Sequence, residues 1–526
     1  MENIKPVWGL TTFFSEVRPA FESFVNRTFN RILKLPNRAT PYIRAGVYMQ
    51  TVSARSHNTP LGRKTAPAMP DSEAARLMQH HSRRDDPNRF FAKEGVDPLT
   101  HAFEGKIAVH PGLGGKPIAE EERGEILRSL MDRPRSGKSV AYIHVPFCET
   151  HCLYCGFFNS GYQKEQSRVY TDTLIRELAI WRDSRAQSSG PLHAVYFGGG
   201  TPTALEPDDM KRMLDAVRSS LPLANDCEVT IEGRSSNLTK ERIEACLEGG
   251  ANRFSLGVQS FHTDIRQAMG RRSTKEQLIE RLSLLQSYNQ EAVIVDLIYG
   301  FPMQTMELWL EDIAVAQSLN LDGADCYQLN VYKTSPLAKA IESGKLPSGA
   351  DIPAQGKMFE AGVAAMESAF YRRLSISHWG RTPRERNIYN QYVKGGAHCL
   401  AFGPGSGGSL HGHFYFNTPD YAAWQEKVNA GQKPVAMLQK PGTNAPLYKA
   451  MAEDMEQARL DLPRLERDFA KPLTQVLTPL LGQWERAGLV RAFGKSYVLT
   501  LAGQFWQVNL SQLLMEYCGE KLAVQA

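Results

Sequence analysis

Cys148-Glu-Thr-His-Cys152-Leu-Tyr-Cys155 follows directly on a short apolar run, Ala141-Tyr-Ile-His-Val-Pro-Phe147. Three thiols at CxxxCxxC spacing can converge from one tight loop onto a single iron–sulfur cluster. A [4Fe-4S] cluster is ordinarily held by four Cys, so three local thiols leave one iron open. That position falls either to an exchangeable small molecule bearing an amine and a carboxylate or to a Cys far away in the chain. A zinc site completed by His144 or His151 is a further metal reading, and plain reduced core cysteines are the reading without metal. Spacing alone keeps all of these open.

The other thiols, Cys227, Cys246, Cys326, Cys399 and Cys518, are isolated. That is no disulfide framework, and none of the five is expected to be needed for a cluster. With 526 residues, 42% hydrophobic and 22% charged, the chain has the composition of a globular protein of two or three domains. It contains no run of 18 apolar residues to span a bilayer. Its start, Met1-Glu-Asn-Ile-Lys5, lacks the apolar core of a secretory signal, so a cytoplasmic location is expected. A net charge of +5 suits an anionic ligand, but there is no dense Lys/Arg stripe interleaved with aromatics, so nucleic acid is not an expected partner.

Outward from the thiols the text is regular. Strands are predicted at Ala141–Val145, Ala194–Phe197, Glu228–Ile231, Arg253–Val258, Ala292–Ile298 and Ala324–Val331. Between them helices are predicted at Val169–Arg182, Pro207–Ser219, Thr239–Leu247, from Ser273 with Glu276 closing a capping box, and at Thr305–Ser318. This alternation demands a mostly parallel α/β sheet. Six units over 138–335 favour an open, partial (β/α)6 barrel over a closed eightfold one. Residues 1–94 read as an N-terminal arm, partly disordered, with a helix around Phe21–Leu33 and an exposed His80-His81 pair. Residues 95–137 read as an approach segment with a Gly/Pro stretch at 110–117 and a helix near Glu120–Met131. Downstream, 336–431 reads as a barrel-covering, substrate-binding region. It includes a helix near Ala354–Ala369, a strand-like Tyr371–His378 and a glycine loop over 400–408. A linker is expected at 432–443, inside a winged-helix-like α+β end domain spanning 432–526.

Polar residues or glycines follow the strand ends, the face on which such sheets and barrels carry their sites. Gly198-Gly-Gly200-Thr201 can be a plain strand-to-helix turn, or a place where backbone groups approach a methionine-like amine and carboxylate. Glu232 is a surface carboxylate or a ligand for a ribose or amine. Gln259 and Asp296 are helix-capping residues or ligands in equal measure. Arg271 and Arg272 are exposed helix flanks unless one faces the sheet, where it would suit a carboxylate. His378, His398, His411 and His413 are more often structural than axial ligands of a porphyrin iron.

The ordered set Tyr142-Ile-His-Val-Pro-Phe-Cys148, Cys152-Leu-Tyr-Cys155, Tyr196-Phe-Gly-Gly-Gly-Thr-Pro202, Gly257-Val-Gln-Ser260 and Asp296-Leu-Ile-Tyr-Gly-Phe-Pro302 resembles the radical S-adenosylmethionine (SAM) family of oxygen-independent coproporphyrinogen III oxidases, over roughly residues 140–510. The resemblance implies a [4Fe-4S] cluster on Cys148, Cys152 and Cys155 with SAM on the open iron, split on reduction to methionine and a 5′-deoxyadenosyl radical. It implies that Gly199, Gly200 and Thr201 hold the methionyl end, and that Tyr154, Gln259, Arg271 and Asp296 bind cofactor. Glu232 would lie between two ligand positions, and Tyr142 and the Phe402 loop would surround a second SAM, giving Glu232 and Tyr142 catalytic positions. Asp97-Pro-Leu-Thr-His-Ala-Phe103, Gly114-Gly-Lys-Pro117, Pro134-Arg-Ser-Gly-Lys-Ser139 and Cys155-Gly-Phe-Phe158 look most like the anaerobic haem-degrading methyltransferase branch. That branch implies radical transfer between two SAM molecules, attack on a haem meso carbon, and opening to a linear tetrapyrrole with release of iron. Electrons would come from a flavodoxin-like donor. The oxidases carry nothing comparable to the 97–139 segment, and the first 75 or so residues match nothing in the family. A haem chaperone that keeps a cluster, and coproporphyrinogen oxidation itself, are the alternatives; oligomeric state is not legible.

Overall fold

The computed structural model describes residues 86–107 and 115–525, all within a compact unit that runs from Lys64 to Ala526. The expected helix at Phe21–Leu33, the His80-His81 pair, and Gly112 and Gly114 lie outside the described residues.

Six βα units form as the periodicity demands. The strands are β1 (Ser139–Val145), β2 (Leu192–Gly199), β3 (Leu223–Gly233), β4 (Arg253–Gln259), β5 (Ala292–Tyr299) and β6 (Gly323–Gln328), and the helices between them are α1 (Lys164–Ile180), α2 (Pro207–Ser220), α3 (Lys240–Glu248), α4 (Lys275–Ser287) and α5 (Met306–Ser318). Each helix start has a local cause. Pro207 occupies the first turn of α2 with Asp208 and Asp209 behind it, where acidic groups meet unpaired N–H groups. Thr239 and Thr305 cap α3 and α5. The capping box of α4 uses Thr274 and Gln277, one residue later than the Ser273/Glu276 pair expected. Along α1, Tyr170, Leu174 and Leu178 are fully buried, and they pin that helix to the sheet.

Strands β1 to β6 are neighbours in chain order and all parallel, so the partial barrel is present. It is longer than six strands. Strand β7 (His398–Phe402) pairs parallel with β1 on its other side, Leu400 opposite Ala141. An antiparallel meander continues the sheet through β8 (Gly407–Leu410), β9 (His413–Asn417) and β10 (Val435–Lys440). The expected glycine loop at 400–408 is therefore a strand, a tight turn and a second strand. Gly403 and Gly405 take positive φ in the turn, and their density hid the short apolar run before them. The expected linker at 432–443 contains β10. The strand expected at Tyr371–His378 reduces to the pairs at Arg372–Arg373 and His378–Gly380 on the far edge.

The described end of the N-terminal arm is not extended. Phe90 and Ala92 are buried. Trp484 donates its indole N–H to the Phe90 carbonyl at 3.0 Å, and Gln483 exchanges two hydrogen bonds with Ala92. Further along, Trp506 Nε1 donates to the carbonyls of Pro98 and Leu99. Residues 86–107 thus form a strap over the C-terminal elements. Those elements are helices Ala445–Glu456, Leu462–Phe469, Leu473–Arg486 and Gln507–Gln525, with a three-stranded sheet built on the hairpin Val490–Phe493/Ser496–Leu499. Among the described residues no helix is long and apolar enough to cross a membrane.

One buried carboxylate ties the meander to the barrel. Glu177 on α1, with no exposed surface, accepts from Gly403 N at 2.8 Å, Asn417 Nδ2 at 3.1 Å and Trp424 Nε1 at 2.8 Å, and forms an ion pair with buried Lys433. Removing one member of a buried pair leaves the other charge uncompensated. Glu177→Ala is expected to lower the unfolding free energy by about 3–5 kcal/mol, read as a shift in the urea midpoint. A shift below about 1 kcal/mol would show that the node carries no such role.

Candidate active site

The loop that follows β1 is held by backbone more than by side chains. Gly200 N donates to Val145 O and Thr201 N to Phe147 O, both at 2.7 Å. A Cβ on Gly200 would sit 2.4 Å from the Phe147 carbonyl, so only glycine permits this contact. On the other side Leu153 N donates to Met269 O. Arg234 Nη1 donates to both oxygens of Thr150 at 2.9 Å, and Asn237 Nδ2 to Glu149.

Between these grips Cys148 and Cys152 are buried and Cys155 is partly exposed. Thr201 Oγ1 donates to Cys148 Sγ at 3.4 Å and Phe157 N to Cys155 Sγ at 3.3 Å. Burial, together with the neighbouring Cys152 and Cys148 sulfurs, pushes the Cys155 thiol up. The three thiols therefore stand within electrostatic reach of one another. Among the described residues no three His, Cys, Asp or Glu side chains converge as a single-ion site; His144 meets the Tyr142 hydroxyl at 3.1 Å, and the His151 ring stacks on Phe158.

The thiols open onto a cavity of about 570 Å³, within the ordinary range for a small-molecule site. Its barrel wall carries Tyr154, Gly199, Gly200, Glu232, Gln259, Arg271 and Asp296, so the predicted set is largely brought together. Three expected residues stand apart from that wall. Thr201 is buried behind it on Cys148. Tyr142 lies a layer below, with its hydroxyl on His144 Nδ1 at 3.1 Å and its ring beside Tyr196. Phe402 is fully buried in β7 under the Lys433 ammonium.

Glu232 accepts from Tyr196 OH at 2.7 Å and Gly199 N at 3.2 Å; burial raises its carboxyl, and these two donors oppose the rise. Arg271 donates from Nε to Tyr154 OH at 3.0 Å and from Nη1 to Gly257 O at 2.6 Å. Gln259 has a left-handed backbone, φ +71°, and its buried Oε1 has no partner. A strained residue with an unsatisfied acceptor on a cavity wall marks a place for a ligand donor.

Sequence reading missed the charge network at the cavity floor. Sheet register sets Asp296 beside Asp325. Behind them His378 contacts Asp325 at 2.7 Å and Glu385 at 2.8 Å, and Arg253 grips Glu385 with two bonds. Clamped between two carboxylates, His378 is raised to about 9 and cannot serve as an axial ligand in the cavity. His398 and His411 face each other at 4.7 Å instead. Among the described residues no histidine lines the cavity. Cys326 does line it, unlike the other four isolated thiols.

Residues 142–315 match the radical SAM superfamily. The anaerobilin synthase of Escherichia coli O157:H7 is 42% identical over 430 residues, covering 81% of this chain and 94% of that protein. The chain belongs to the radical SAM superfamily, in the anaerobilin synthase branch. The heme chaperone HemW of Bacillus subtilis is 28% identical over 277 residues, 52% of this chain and 71% of that one. Among solved structures, coproporphyrinogen III oxidase from Escherichia coli superposes with a TM-score of 0.65 at 19% identity, covering 78% of this chain and 96% of that one; this likeness is one of fold. Members of the superfamily use a [4Fe-4S] cluster and SAM. The donors fit those groups: three adjoining thiols on one loop, a glycine cradle beside them, and an unpaired Gln259 acceptor.

Burial, with Asp325 and Glu232 nearby, pushes the Asp296 carboxyl up to about 7, against about 3.9 in an unfolded chain. The folded protein thus keeps a proton that the unfolded chain releases. This contribution is complete below about pH 4 and is lost as pH rises to about 7. Over that window wild type is expected to lose thermal stability relative to Asp296→Asn. Parallel melting-temperature curves for the two proteins would count against the raised carboxyl.

Proposed function

We propose that this chain opens the haem macrocycle anaerobically, using two SAM molecules to methylate it and give a linear tetrapyrrole and free iron. The observation that carries the reading is the 42% identity to an anaerobilin synthase across 94% of that protein's length. In this reading Cys148, Cys152 and Cys155 hold the [4Fe-4S] cluster and leave one iron for SAM. When bound and reduced by one electron, the cluster and SAM supply radical chemistry capable of methyl transfer. Electrons come from a flavodoxin-like donor, and the protein works in the cytoplasm.

The chain's own part is binding, orientation and exclusion of water. The N–H of Phe157 and the hydroxyl of Thr201 donate to two of the sulfurs and would stabilise negative charge on them. Gly199 and Gly200 let backbone approach the methionyl end of the cofactor, and Gln259 Oε1 accepts from its amine. Arg271, steadied by Tyr154, faces a carboxylate. Glu232, held between Tyr196 and Gly199, orients hydroxyl or amine groups between the two cofactor positions. Asp296 titrates near neutrality and can hold or release a proton at its carboxyl oxygen. Phe157, Tyr327, Tyr332 and Phe505 give the cavity flat apolar walls, which suit a macrocycle and keep water out.

The test is anaerobic: reconstituted protein, reductant, SAM and haem, followed by absorbance and mass. Loss of the Soret band with SAM consumption and a product heavier by a methyl group is expected. Stable haem binding without product would make this a carrier, and two decarboxylations of coproporphyrinogen would make it an oxidase. Cys152→Ala is expected to lose cluster iron and SAM cleavage together, because three thiolates cannot spare one. Iron retained at about four atoms per chain in that variant would refute the cluster assignment.

A further inference from the structure

Two lysines that no part of the mechanism uses line the cavity: Lys394, ion-paired to Glu456 at 2.8 Å, and Lys106. Lys106 comes from the strap and reaches the cavity beside Phe505. Its backbone is fixed on both sides by Asn509, a fully buried amide that accepts from Ile107 N at 3.2 Å and donates to Gly105 O at 2.9 Å. The ammonium lies 3.8 Å from the Phe505 ring centre and 4.6 Å from that of Trp506, and it donates to the Phe505 carbonyl. An ammonium has three donors, so two remain. Among the described residues no carboxylate pairs with it. Of the amides on the same wall, Gln504 Oε1 already accepts from Arg373, and Gln504 and Gln507 donate from Nε2 to Leu499 O and Ser511 Oγ.

Lys106 is half-buried, and a partly desolvated cation with spare donors and no counter-ion is unfavourable. Its low-dielectric surroundings press the ammonium well below its usual range, so an anionic ligand would be gained on favourable terms. Phe505 and Phe359, with ring centres 5.7 Å apart, present aromatic surface next to it. The ligand this corner fits is flat and apolar with a carboxylate at its edge.

We propose that Lys106 is the carboxylate anchor of the substrate site, pairing with a propionate of the macrocycle while the ring lies against Phe505 and Phe359. This rests on the haem reading above. It adds a group on the strap that fixes how the ring enters relative to the cluster.

The test is equilibrium binding without SAM or reductant turnover. Full-length, cluster-loaded protein is titrated with haem and with haem dimethyl ester, whose propionates are masked. Lys106→Met should bind haem roughly 10- to 100-fold more weakly than wild type, the loss of one charge-assisted hydrogen bond. It should bind the ester as wild type does, and Lys106→Arg should recover much of the haem affinity. Thermal midpoints check that the strap stays docked. Equal weakening of both ligands would mean that Lys106 only props Phe505, and would overturn the anchor, as would no weakening of either. Wild-type protein that takes up neither ligand would overturn the haem reading itself and the anchor with it.

Discussion

The site depends on how closely two stretches of backbone approach each other. The chain leaving β2 must pass within hydrogen-bonding distance of the chain leaving β1, and side chains would prevent it. A Cβ at Gly199 would fall 2.4 Å from the His144 ring, and one at Gly200 would meet the Phe147 carbonyl at the same distance. Because both positions are bare, Thr201 reaches Cys148, and Glu232 on the next strand reaches Gly199 N. Gly270, at φ +81°, does the same work on the far side, close under His151 and Cys152. A loop that must present three thiols at fixed spacing is thus clamped from both sides by main chain, at the entropic cost that ordering glycine carries.

Charge at the cavity floor follows from sheet register in the same way. Parallel pairing sets Asp296 and Asp325 side by side, with Glu232 two strands away. Arg253 and His378 supply two positive charges behind them, and Glu385 bridges the two cations. That bridge keeps Glu385 ionised, down to about 2. Burial, then the neighbouring Asp325 and Glu232, raises the Asp296 carboxyl, and Arg253 and His378 oppose that rise only in part. Burial and crowding by like charges are general routes to a raised carboxyl pKa.

The barrel was legible because its two periodicities are clean. Apolar, largely buried runs mark β1, β2, β4 and β5, and caps or prolines mark the helix starts. The polar wall of the cavity was legible because its residues interrupt otherwise apolar strands. The same signal, read at every second position, would have found more: Ser255, Gly257 and Gln259 on β4, Asp296 and Ile298 on β5, and Asp325 and Tyr327 on β6 all face the cavity. Strand β7 was hidden because Leu400-Ala-Phe402 is too short for any periodicity and runs straight into glycines. Glu385, Glu177 and Lys106 were out of reach for another reason. Each acts on partners more than a hundred residues away, and nothing local distinguishes a buried charge from a surface one.

The two walls of the cavity come from different parts of the chain, and this bears on what each one decides. Tyr154, Gly199, Gly200, Glu232, Gln259, Arg271 and Asp296 all lie within 142–315, the span that matches the superfamily. Lys106, Phe359, Ile376, Gln504, Phe505, Gln507 and Val508, which line the opposite side, all lie outside it. Their positions are coupled: the Trp506 indole, next to Phe505, is bonded to the strap at Pro98 and Leu99, and the Asn509 amide to the strap at Gly105 and Ile107. The strap thus positions the wall around Phe505 through bonds that do not involve the thiols, and the strand ends hold the thiol loop through bonds that do not involve the strap. One barrel can in this way keep its cofactor chemistry fixed while the terminal segments decide which flat, carboxylate-edged molecule is presented to it.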